Sequence, residues 1–491
     1  MCGIIITLGE NTLELTKEKL NIIKHRGPDS TDYYQDKHVS MGFCRLSIND
    51  HSNLGTQPYE CKNLVSVTNG EIYNHQGLRD KFNLNICSQS DTHVIPELFL
   101  KLGVKCLNEL DGFYSSIIFD KATKNIFSLR DPFGKKGLFL VRSSGVVFIS
   151  SELKCFDVID EFKIIPCGLH QINIKQFKLV VIAQHTLPVV TRSAQPKCAQ
   201  LFSLLEQATL KRIPPKGKFG VFLSGGLDSS CISYLVNQSA QHLDATYYIL
   251  GNIGSDHDNA QTVVRYLGLK DIKVVPIPNE REIYELIKKI VYITESYNPS
   301  IISNGICTYL LSKAVRADGL KVVLSGEGAD ELLLGYYDAL KPHEVVRKRQ
   351  QLINDLHVTE LRRVDLASMH HSVEVRAPFL DKFVHGFAIE LGHDDLFRGE
   401  KNKAILRNAF ENHLPKKIIN RKKESFDVGT GMRGLVISAL TNQQQNASLS
   451  EKQLLTKIWM DHFPLFKNND YFHDYPAFNH AIEKRGAIHR S

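Results

Sequence analysis

Apolar runs of strand length alternate with amphipathic stretches in the second part of the chain. The strand-length runs are residues 245–250, 272–275 and 321–324. The stretches with the spacing of an amphipathic helix are residues 256–267, 282–294 and 306–317. This alternation predicts an α/β fold with a doubly wound parallel sheet, and ligands of such sheets bind outside the carboxyl ends of the strands.

The first part of the chain has a different pattern. Residues 64–67 are an apolar run that ends at Asn69 and Gly70, and alternating segments over residues 171–182 also indicate strands. A polar, turn-rich stretch over residues 188–197 predicts a linker. The domains expected from this division are residues 2–190 and residues 198–491, the second with a helical C-terminal part.

The composition is that of an ordinary soluble globular protein. The 491 residues are 43% hydrophobic and 23% charged, and the length predicts two or three domains. A net charge of +7 is weak for this length, and no block of Lys and Arg interleaved with aromatic residues indicates nucleic acid binding. The modest positive charge favours anionic substrates such as ATP.

The cysteines and the apolar runs indicate a cytoplasmic protein. Ten cysteines occur without Cys-x-x-Cys spacing, which argues against a zinc site and a disulfide framework and suits a reducing compartment. No apolar run reaches the roughly 18 residues needed to span a membrane, and the start of the chain lacks the features of a signal peptide. We therefore expect no membrane partner.

An apolar strand end, Val221–Leu223, leads into the loop Ser224-Gly225-Gly226-Leu227-Asp228-Ser229. Its glycines let the backbone approach a ligand, and a helix that begins near Ser229 offers N–H groups to an anion. A carboxylate at Asp228 would repel phosphate unless a divalent cation lay between them. The loop therefore predicts a phosphate site with a metal ligand, although it is not a Walker loop.

A second acidic loop follows the strand that ends at Leu324. It is Ser325-Gly326-Glu327-Gly328-Ala329-Asp330-Glu331. Two strand-end loops facing one nucleotide can share a magnesium ion, with Asp228 and Asp330 as its ligands. The alternative is a solvated helix N-terminus, where acidic residues are favoured by the helix dipole.

Cys2 directly follows the initiator methionine, and its small side chain should permit removal of that methionine. A terminal cysteine combines a thiol with an α-amino group that can take the thiol proton. The side-chain amide of Asn69 and the N–H of Gly70 can form an oxyanion hole. Arg45 suits a carboxylate and Asp91 suits an ammonium group, so the set matches glutamine.

Further motifs of the first part occur in the order of a known family. They are His25–Asp29, Arg45–Asp50, Asn69–Asn74, Ser90–Thr92, Leu110–Gly112, Arg130–Lys136 and Ser150–Lys154, the last three expected to be structural turns. Residues 1 to about 155 thereby resemble the class II glutamine amidotransferase domain, an N-terminal-nucleophile αββα sandwich. The resemblance implies that Cys2 is the nucleophile, that Asn69 and Gly70 are catalytic, and that glutamine is bound by Arg45, Asn49, Asn69, Gly70, Glu71 and Asp91.

The second part resembles the N-type ATP pyrophosphatases at its Ser224–Ser229 loop. With Arg363–Met369, Glu374–Asp381 and Arg421–Phe426 in this order, it resembles the synthetase domain of the glutamine-dependent asparagine synthetases. The resemblance implies catalytic roles for Glu327 and Lys423, although the adjacent Arg421 and Lys422 leave the choice of basic residue open. The implied ATP-binding residues are Leu223, Ser224, Gly225, Gly226, Asp228, Ser229, Ile249, Ser325 and Gly326, and the implied metal ligands are Asp228 and Asp330.

The resemblance implies one reaction and a short list of partners. ATP, L-aspartate, L-glutamine and water would give AMP, pyrophosphate, L-asparagine and L-glutamate through β-aspartyl-AMP. Partners would be these substrates and Mg²⁺, with no nucleic acid, in a homodimer. Residues 300–305 depart from the family pattern because an arginine that would lie near the acceptor or the pyrophosphate is absent, so a ligase amidating a different carboxylate is an alternative. A catalytically inactive binding protein is a third possibility, against which the intact Cys2 and Asp228 argue.

Overall fold

The computed structural model describes residues 2–190, 195–251, 254–399, 401–442, 449–466 and 470–473. The chain forms two compact units. The first comprises residues up to Leu187, together with Met369–Ser372 and a short stretch that begins at Phe463. Residues 191–194 of the predicted linker lie outside the described residues. None of the described helices is both long and apolar enough to cross a bilayer.

Two six-stranded antiparallel sheets form the first unit, in the orders β10-β8-β9-β1-β3-β2 and β12-β11-β7-β6-β5-β4. Its strands are β1 Gly3–Leu8, β2 Ser30–Gln35, β3 Val39–Arg45, β4 Tyr59–Cys61, β5 Leu64–Ile72, β6 Gly112–Asp120, β7 Ile126–Arg130, β8 Phe139–Ser143, β9 Val146–Ser150, β10 Glu161–Ile164, β11 Gly168–Asn173 and β12 Lys178–Ala183. Its helices are α1 Leu13–Ile22, α2 His75–Phe82, α3 Val94–Leu102 and α4 Cys106–Glu109.

The two sheets are stacked because each has an apolar inner face. Ile4 of β1 and Ile117 of β6 are buried in one core that side chains of both sheets build. Alternate residues of a strand face opposite sides, so Tyr114 of β6 packs outward in a second core with Leu98 of α3. On the other sheet, Leu20 of α1 packs against β3. The predicted αββα sandwich is confirmed.

One strand of this unit is longer than its apolar pattern predicts. The sequence places Asn69 and Gly70 at the end of a strand, but β5 continues through both residues to Ile72. Asn69 is paired with Ser115 of β6, and Gly70 is paired with Tyr114. The prediction was wrong because ladder hydrogen bonds to β6 extend the strand past its apolar run, which sequence periodicity does not record.

A five-stranded parallel sheet with the order β15-β14-β13-β16-β17 lies at the centre of the second unit. Its strands are β13 Phe219–Phe222, β14 Ala245–Leu250, β15 Ile272–Val275, β16 Val322–Leu324 and β17 Glu374–Arg376. The chain order reverses between the adjacent strands β13 and β16. A doubly wound sheet has its ligand crevice at such a point, outside the carboxyl ends of the strands.

Helices make up the rest of the second unit. They are α5 Lys197–Leu210, α6 Leu227–Asn237, α7 Ser255–Leu267, α8 Glu280–Thr294, α9 Pro299–Ala317, α10 Ala329–Leu332, α11 Val345–Asp355, α12 Glu360–Met369, α13 Lys382–Ala388, α14 His393–Leu396, α15 Ala404–Ala409, α16 Lys416–Ile419, α17 Phe426–Gly429, α18 Met432–Asn442, α19 Glu451–His462 and α20 Asp470–His473. The predicted doubly wound sheet and helical C-terminal part are confirmed. The helix expected at residue 306 begins earlier, at Pro299, because Asn298 caps it through the N–H groups of Ser300 and Ile301.

A buried ion pair anchors α13 in the second unit. Asp381 accepts a 2.9 Å hydrogen bond from Arg212 Nη1 and caps α13 through the N–H of Phe383 at 2.8 Å. Burial alone would raise the pKa of Asp381, but Arg212 and Lys211 outweigh it and lower the pKa to about 2. The ionised carboxylate is therefore the form that the fold favours.

We predict that Asp381→Asn destabilises the protein by about 3 kcal/mol at pH 7, because it leaves buried Arg212 without its counter-charge. The folded pKa of about 2 lies below the unfolded value of about 3.9, so this stabilisation is present above pH 4 and is lost as pH falls through 2. Denaturant unfolding of both proteins between pH 2 and 7 measures the difference. A gap that stayed constant with pH would contradict the prediction.

Candidate active sites

A cavity in the first unit brings together most of the residues predicted to bind glutamine. Its lining includes Cys2, Arg45, Asn49, Gly70, Glu71 and Asp91. Cys2 precedes β1 in one sheet, while Gly70 and Glu71 belong to β5 in the other. The stacking of the sheets therefore places the thiol and the binding residues on the same cavity.

Cys2 and Asn69 are connected by a direct hydrogen bond. The backbone N of Cys2 donates to Asn69 Oδ1 at 2.9 Å. This bond fixes the orientation of the amide, and Asn69 Nδ2 is buried without a hydrogen-bond partner in the described part of the chain. A buried amide donor without a partner is suited to an oxyanion that forms during reaction. Burial raises the pKa of the Cys2 thiol, so attack requires a base.

Two acidic residues of this cavity, Glu71 and Asp91, accept hydrogen bonds from the side-chain amide of Asn49. Asn49 Nδ2 donates to Glu71 Oε1 at 2.7 Å and to Asp91 Oδ1 at 3.1 Å. The other oxygen of Asp91 accepts from the N–H of Ile72 at 2.8 Å. Asn49 thereby holds both carboxylates in place, and their negative charge suits an ammonium group.

Arg45 holds backbone carbonyls as well as lining the cavity. Its Nη1 donates to the carbonyl of Ser52 at 2.8 Å, and its Nη2 donates to the carbonyl of Asp50. A Cβ at Gly55 would lie only 2.4 Å from Nη2, so this glycine leaves the space that the guanidinium occupies. The guanidinium is fixed at the cavity wall, where it can attract a carboxylate.

Two buried residues behind Cys2 were not recognised from sequence as part of this site. Arg26 Nε donates to the carbonyl of Cys2 at 3.0 Å, and its Nη1 pairs with Glu152 at 2.6 Å. Lys154 also pairs with Glu152, at 2.6 Å. The sequence marks both motifs but predicts a structural turn for Ser150–Lys154. Only the tertiary contact shows that these charges lie next to the backbone of Cys2.

A larger cavity lies at the reversal point of the parallel sheet in the second unit. Its lining includes Leu223, Ser224, Gly226, Asp228, Ser229, Ser325, Gly326, Glu327, Asp330 and Lys423. The loop after β13 packs tightly on α7, since a Cβ at Gly225 would lie 2.3 Å from the backbone N of Ala260. Leu250 lines the cavity, whereas the predicted Ile249 is buried one residue earlier in β14. The helix expected near Ser229 begins at Leu227.

The two predicted metal ligands meet at one lysine that was not recognised from sequence. Lys403 Nζ lies 2.7 Å from Asp228 Oδ2 and 2.6 Å from Asp330 Oδ1. Lys423 Nζ lies 2.5 Å from the other oxygen of Asp330. Burial alone would raise the pKa of Asp330, but the two ammonium groups outweigh it and hold the pKa well below its usual range.

Side-chain contacts distinguish the three adjacent basic residues. Lys423 pairs with Asp330, as described, and Arg421 pairs with Asp256 at 2.5 Å. The Lys422 side chain is 80% exposed and pairs with Asp338 at 3.4 Å. Lys423 is therefore the residue of the three that reaches the acidic strand-end loop.

A separate group of carboxylates surrounds Arg363 in the same cavity. Arg363 Nη2 lies 2.9 Å from Glu327 Oε1 and also pairs with Glu360, while its Nη1 donates to Thr308 at 2.7 Å. Burial would lower the pKa of Arg363, but Glu327 and Glu360 outweigh it and raise the pKa. Sequence reasoning missed Glu360, because nothing local marks it as a neighbour of Glu327.

Glu331 has no cation partner in the described part of the chain and pairs with a phenol instead. Tyr336 donates its hydroxyl to Glu331 Oε1 at 2.7 Å. Burial, followed by the neighbouring Asp330 and Glu360, raises the pKa of Glu331 to about 8. The pKa is therefore lowered at Asp330 and raised at the adjacent Glu331. Opposite shifts of neighbouring carboxyl groups are common in active sites.

Comparison with known proteins identifies the family. Residues 1–184 match the glutamine amidotransferase domain, and residues 200–354 and 342–473 match asparagine synthase. A probable glutamine-hydrolysing asparagine synthetase of Acanthamoeba polyphaga mimivirus is 28% identical, over 99% of this chain and 93% of the relative. Glutamine-hydrolysing asparagine synthetases of Triphysaria versicolor and Arabidopsis thaliana are each 31% identical, over 88% of this chain and 78% of the relative.

These matches place the chain among the glutamine amidotransferases. Because they extend over both parts of the chain and most of each relative, the chain belongs to the family of the glutamine-hydrolysing asparagine synthetases. The family predicted from the sequence motifs is confirmed.

The geometry of the phosphate-type loop predicts unequal effects at its two glycines. Gly225 has φ +71°, and a Cβ there would meet the backbone of α7. Gly226 has φ −74°, and the nearest atom to its Cβ would be Ser224 Oγ at 3.3 Å. We expect Gly225→Ala to destabilise the ligand-free protein by about 3 kcal/mol and Gly226→Ala by less than about 1 kcal/mol. Calorimetric unfolding measures both, and equal effects would contradict the prediction.

Proposed function

We propose that the protein is a glutamine-hydrolysing asparagine synthetase with two active sites, in domains that span residues 2–190 and 198–491. The observation that carries the proposal is the convergence of Asp228, Asp330, Lys403 and Lys423 at the reversal point of the sheet. This arrangement suits a magnesium nucleotide. Family membership and the Cys2 cavity supply the nitrogen donor.

At the first site, the Cys2 thiol attacks the side-chain amide carbon of glutamine. The α-amino group of Cys2, freed by removal of Met1, takes the thiol proton and passes it to the leaving nitrogen. Asn69 Nδ2 and the N–H of Gly70 stabilise the oxyanion. Ammonia leaves, and water then hydrolyses the thioester to glutamate. The Glu71 and Asp91 carboxylates bind the α-ammonium of glutamine, and Arg45 with Asn49 completes the binding set.

At the second site, a carboxylate oxygen of the acceptor attacks the α-phosphorus of ATP. The bond to the bridging oxygen breaks, pyrophosphate leaves, and an acyl-AMP forms. Ammonia then attacks the acyl carbon and AMP leaves, which gives the amide. Lys423 and Lys403 offset the negative charge of the departing pyrophosphate, and Glu327 orients the acceptor. Leu223, Ser325, Gly326 and the neighbourhood of Ile249 and Leu250 would hold the nucleoside.

The residues at the second site fit a magnesium ion that enters with ATP. Two carboxylates, Asp228 and Asp330, point at one position that the Lys403 ammonium occupies, so a cation is already favoured there. Among the described residues, no group of three or more His, Cys, Asp or Glu side chains could hold a metal by itself. Mg²⁺ commonly uses one or two carboxylates plus phosphate oxygens and water. When bound, it would neutralise phosphate charge.

The acceptor could also be a carboxylate other than aspartate. The specific observation is that α9 faces the cavity with Ser300, Asn304 and Thr308, all neutral, where the family pattern has an arginine nearby. Pyrophosphate release with aspartate, measured against a panel of other carboxylates, decides between the two acceptors. The homodimer and the cytoplasmic location stay predictions.

Cys2→Ala is expected to abolish glutamine-driven amide formation while ammonia-driven formation continues within about twofold of wild type. The reason is that only the first site needs the thiol. Pyrophosphate and asparagine are measured with each nitrogen source. The matched control is Cys61→Ala, another buried thiol of the same unit, which should retain both activities. Loss of both activities in Cys2→Ala would contradict separate sites.

Asp228→Asn is expected to have the complementary effect. Pyrophosphate release should fall at least about 10²-fold with either nitrogen source, because a charge that holds the nucleotide cation is lost, while glutamine hydrolysis persists. Asp258→Asn serves as the control, since Asp258 is an exposed acidic residue in the first turn of α7. Unchanged pyrophosphate release in Asp228→Asn would exclude this cavity as the ATP site.

A further inference from the structure

Three arginines line the cavity of the second unit, and in two of them every side-chain nitrogen has a protein partner. Arg407 donates to Asn402 and to the carbonyl of Ile419. Arg363 donates to Glu327, Glu360 and Thr308, as described above. Each of their side-chain nitrogens has a protein partner within the described chain, so neither arginine has a nitrogen left over for a ligand.

Arg421 is different because one end of its guanidinium is unused. Its Nη2 donates to Asp256 at 2.5 Å, to Glu424 at 3.0 Å and to Ser255 at 3.4 Å. Its Nη1 is buried and has no hydrogen-bond partner among the residues that the structure describes. The side chain is only 11% exposed. Leaving a buried, charged donor unpaired is costly, so a ligand oxygen at this nitrogen would be favoured.

The surroundings of Arg421 place it on the wall of the cavity that α9 forms. Asn304 of α9 accepts a hydrogen bond from the backbone N of Asp427 at 3.2 Å. Two residues later, Gly429 packs so closely on Asp256 that a Cβ would lie 2.2 Å from its Oδ1. Asp256 in turn pairs with Arg421. A continuous set of contacts therefore connects Arg421 to the neutral face of α9.

Two lysines of the cavity, Lys403 and Lys423, form ion pairs away from Arg421. Lys403 and Lys423 pair with Asp228 and Asp330, where the nucleotide cation is expected. Burial raises the pKa of Asp256 to about 6 against the opposing effect of Arg421, so the carboxylate that pairs with Nη2 of Arg421 is still mostly ionised at pH 7. Lys422 and Lys423 follow directly in the chain and line the same cavity.

We propose that the acceptor has two carboxylates and that Arg421, through its unused Nη1, binds the carboxylate that does not react with ATP. The inference rests on the proposed function and specifies its substrate class: an amino acid with two carboxylates, of which one reacts with ATP and the other is held by Arg421. For aspartate, the held group is the α-carboxylate. A cation on the neutral face of α9 is then not needed to bind this carboxylate, because Arg421, in the segment before α17, supplies the positive charge.

The test measures pyrophosphate release by the full-length protein with ammonia as nitrogen source, so that the first site is not involved. The acceptors are aspartate and β-alanine, which is aspartate without its α-carboxylate. We expect wild type to prefer aspartate strongly. In Arg421→Ala, KM for aspartate should rise about 10²-fold, KM for ATP should stay within about twofold, and kcat/KM for β-alanine should be unchanged.

Two further variants separate binding from structural damage. Lys422→Ala removes the adjacent, largely exposed cation and should leave KM for aspartate unchanged. Arg421→Lys keeps the charge but not the fork, and should recover part of the lost affinity. If β-alanine turnover is undetectable in both proteins, the split between the KM values for aspartate and ATP decides the question.

The possible failures are distinguishable. Equal losses with aspartate and β-alanine in Arg421→Ala, or a rise in KM for ATP instead of aspartate, would overturn the inference and leave the proposed function standing. A wild-type protein that uses both acceptors equally well would also overturn it. No pyrophosphate from wild type with aspartate and ammonia would overturn the proposed function itself, and the inference with it.

Discussion

The arrangement of the second cavity depends on the salt bridges that Lys403 makes with Asp228 and Asp330. The two carboxylates come from the first turns of α6 and α10, which follow adjacent strands. Without a cation, their charges would repel each other in a poorly solvated cavity. The space is closely fitted, since a Cβ at Gly335 would lie 2.0 Å from Asp330 Oδ1 and 2.2 Å from Lys403 Cε. The fold therefore builds a place for positive charge before any ligand arrives.

The same principle arranges the rest of that cavity. Lys403 and Lys423 pair with Asp330, and Lys403 also pairs with Asp228. Arg363 pairs with Glu327 and Glu360. Glu331 lacks a cation partner in the described chain, and there the carboxyl has a raised pKa. Charge pairing thus divides one cavity into regions of different local charge.

In the first unit, contacts from several segments fix the position of Cys2. The apolar core between the sheets fixes β1 against β5, and Cys2 is then tied by its N–H to Asn69 and by its carbonyl to Arg26. The buried Glu152 pairs with Arg26 and balances the charge of the guanidinium that holds the carbonyl of Cys2. The backbone of Cys2 is thus held by side chains that are 67 and 24 residues away in the sequence.

The sequence alone determined what depends on neighbouring residues. The alternation of strand-length runs and amphipathic stretches predicted the doubly wound sheet, whereas the sandwich was implied by the resemblance of the first part to the class II glutamine amidotransferase domain. The loop at Ser224–Ser229 and the position of Cys2 indicated the chemistry, because turn geometry and thiol activation need particular residues at adjacent positions. The extent of β5 past Asn69 was not visible, because ladder hydrogen bonds with β6 decided it.

Only the tertiary structure decided which distant side chains meet. Lys403 is 175 residues from Asp228, and no local pattern marks it as its partner. Glu360 and Arg421 reach the cavity in the same way, and Lys422 and Lys423, which are adjacent in the sequence, pair with different acidic residues. Pairing of charges across a cavity depends on distance in space, whereas a sequence records only distance along the chain.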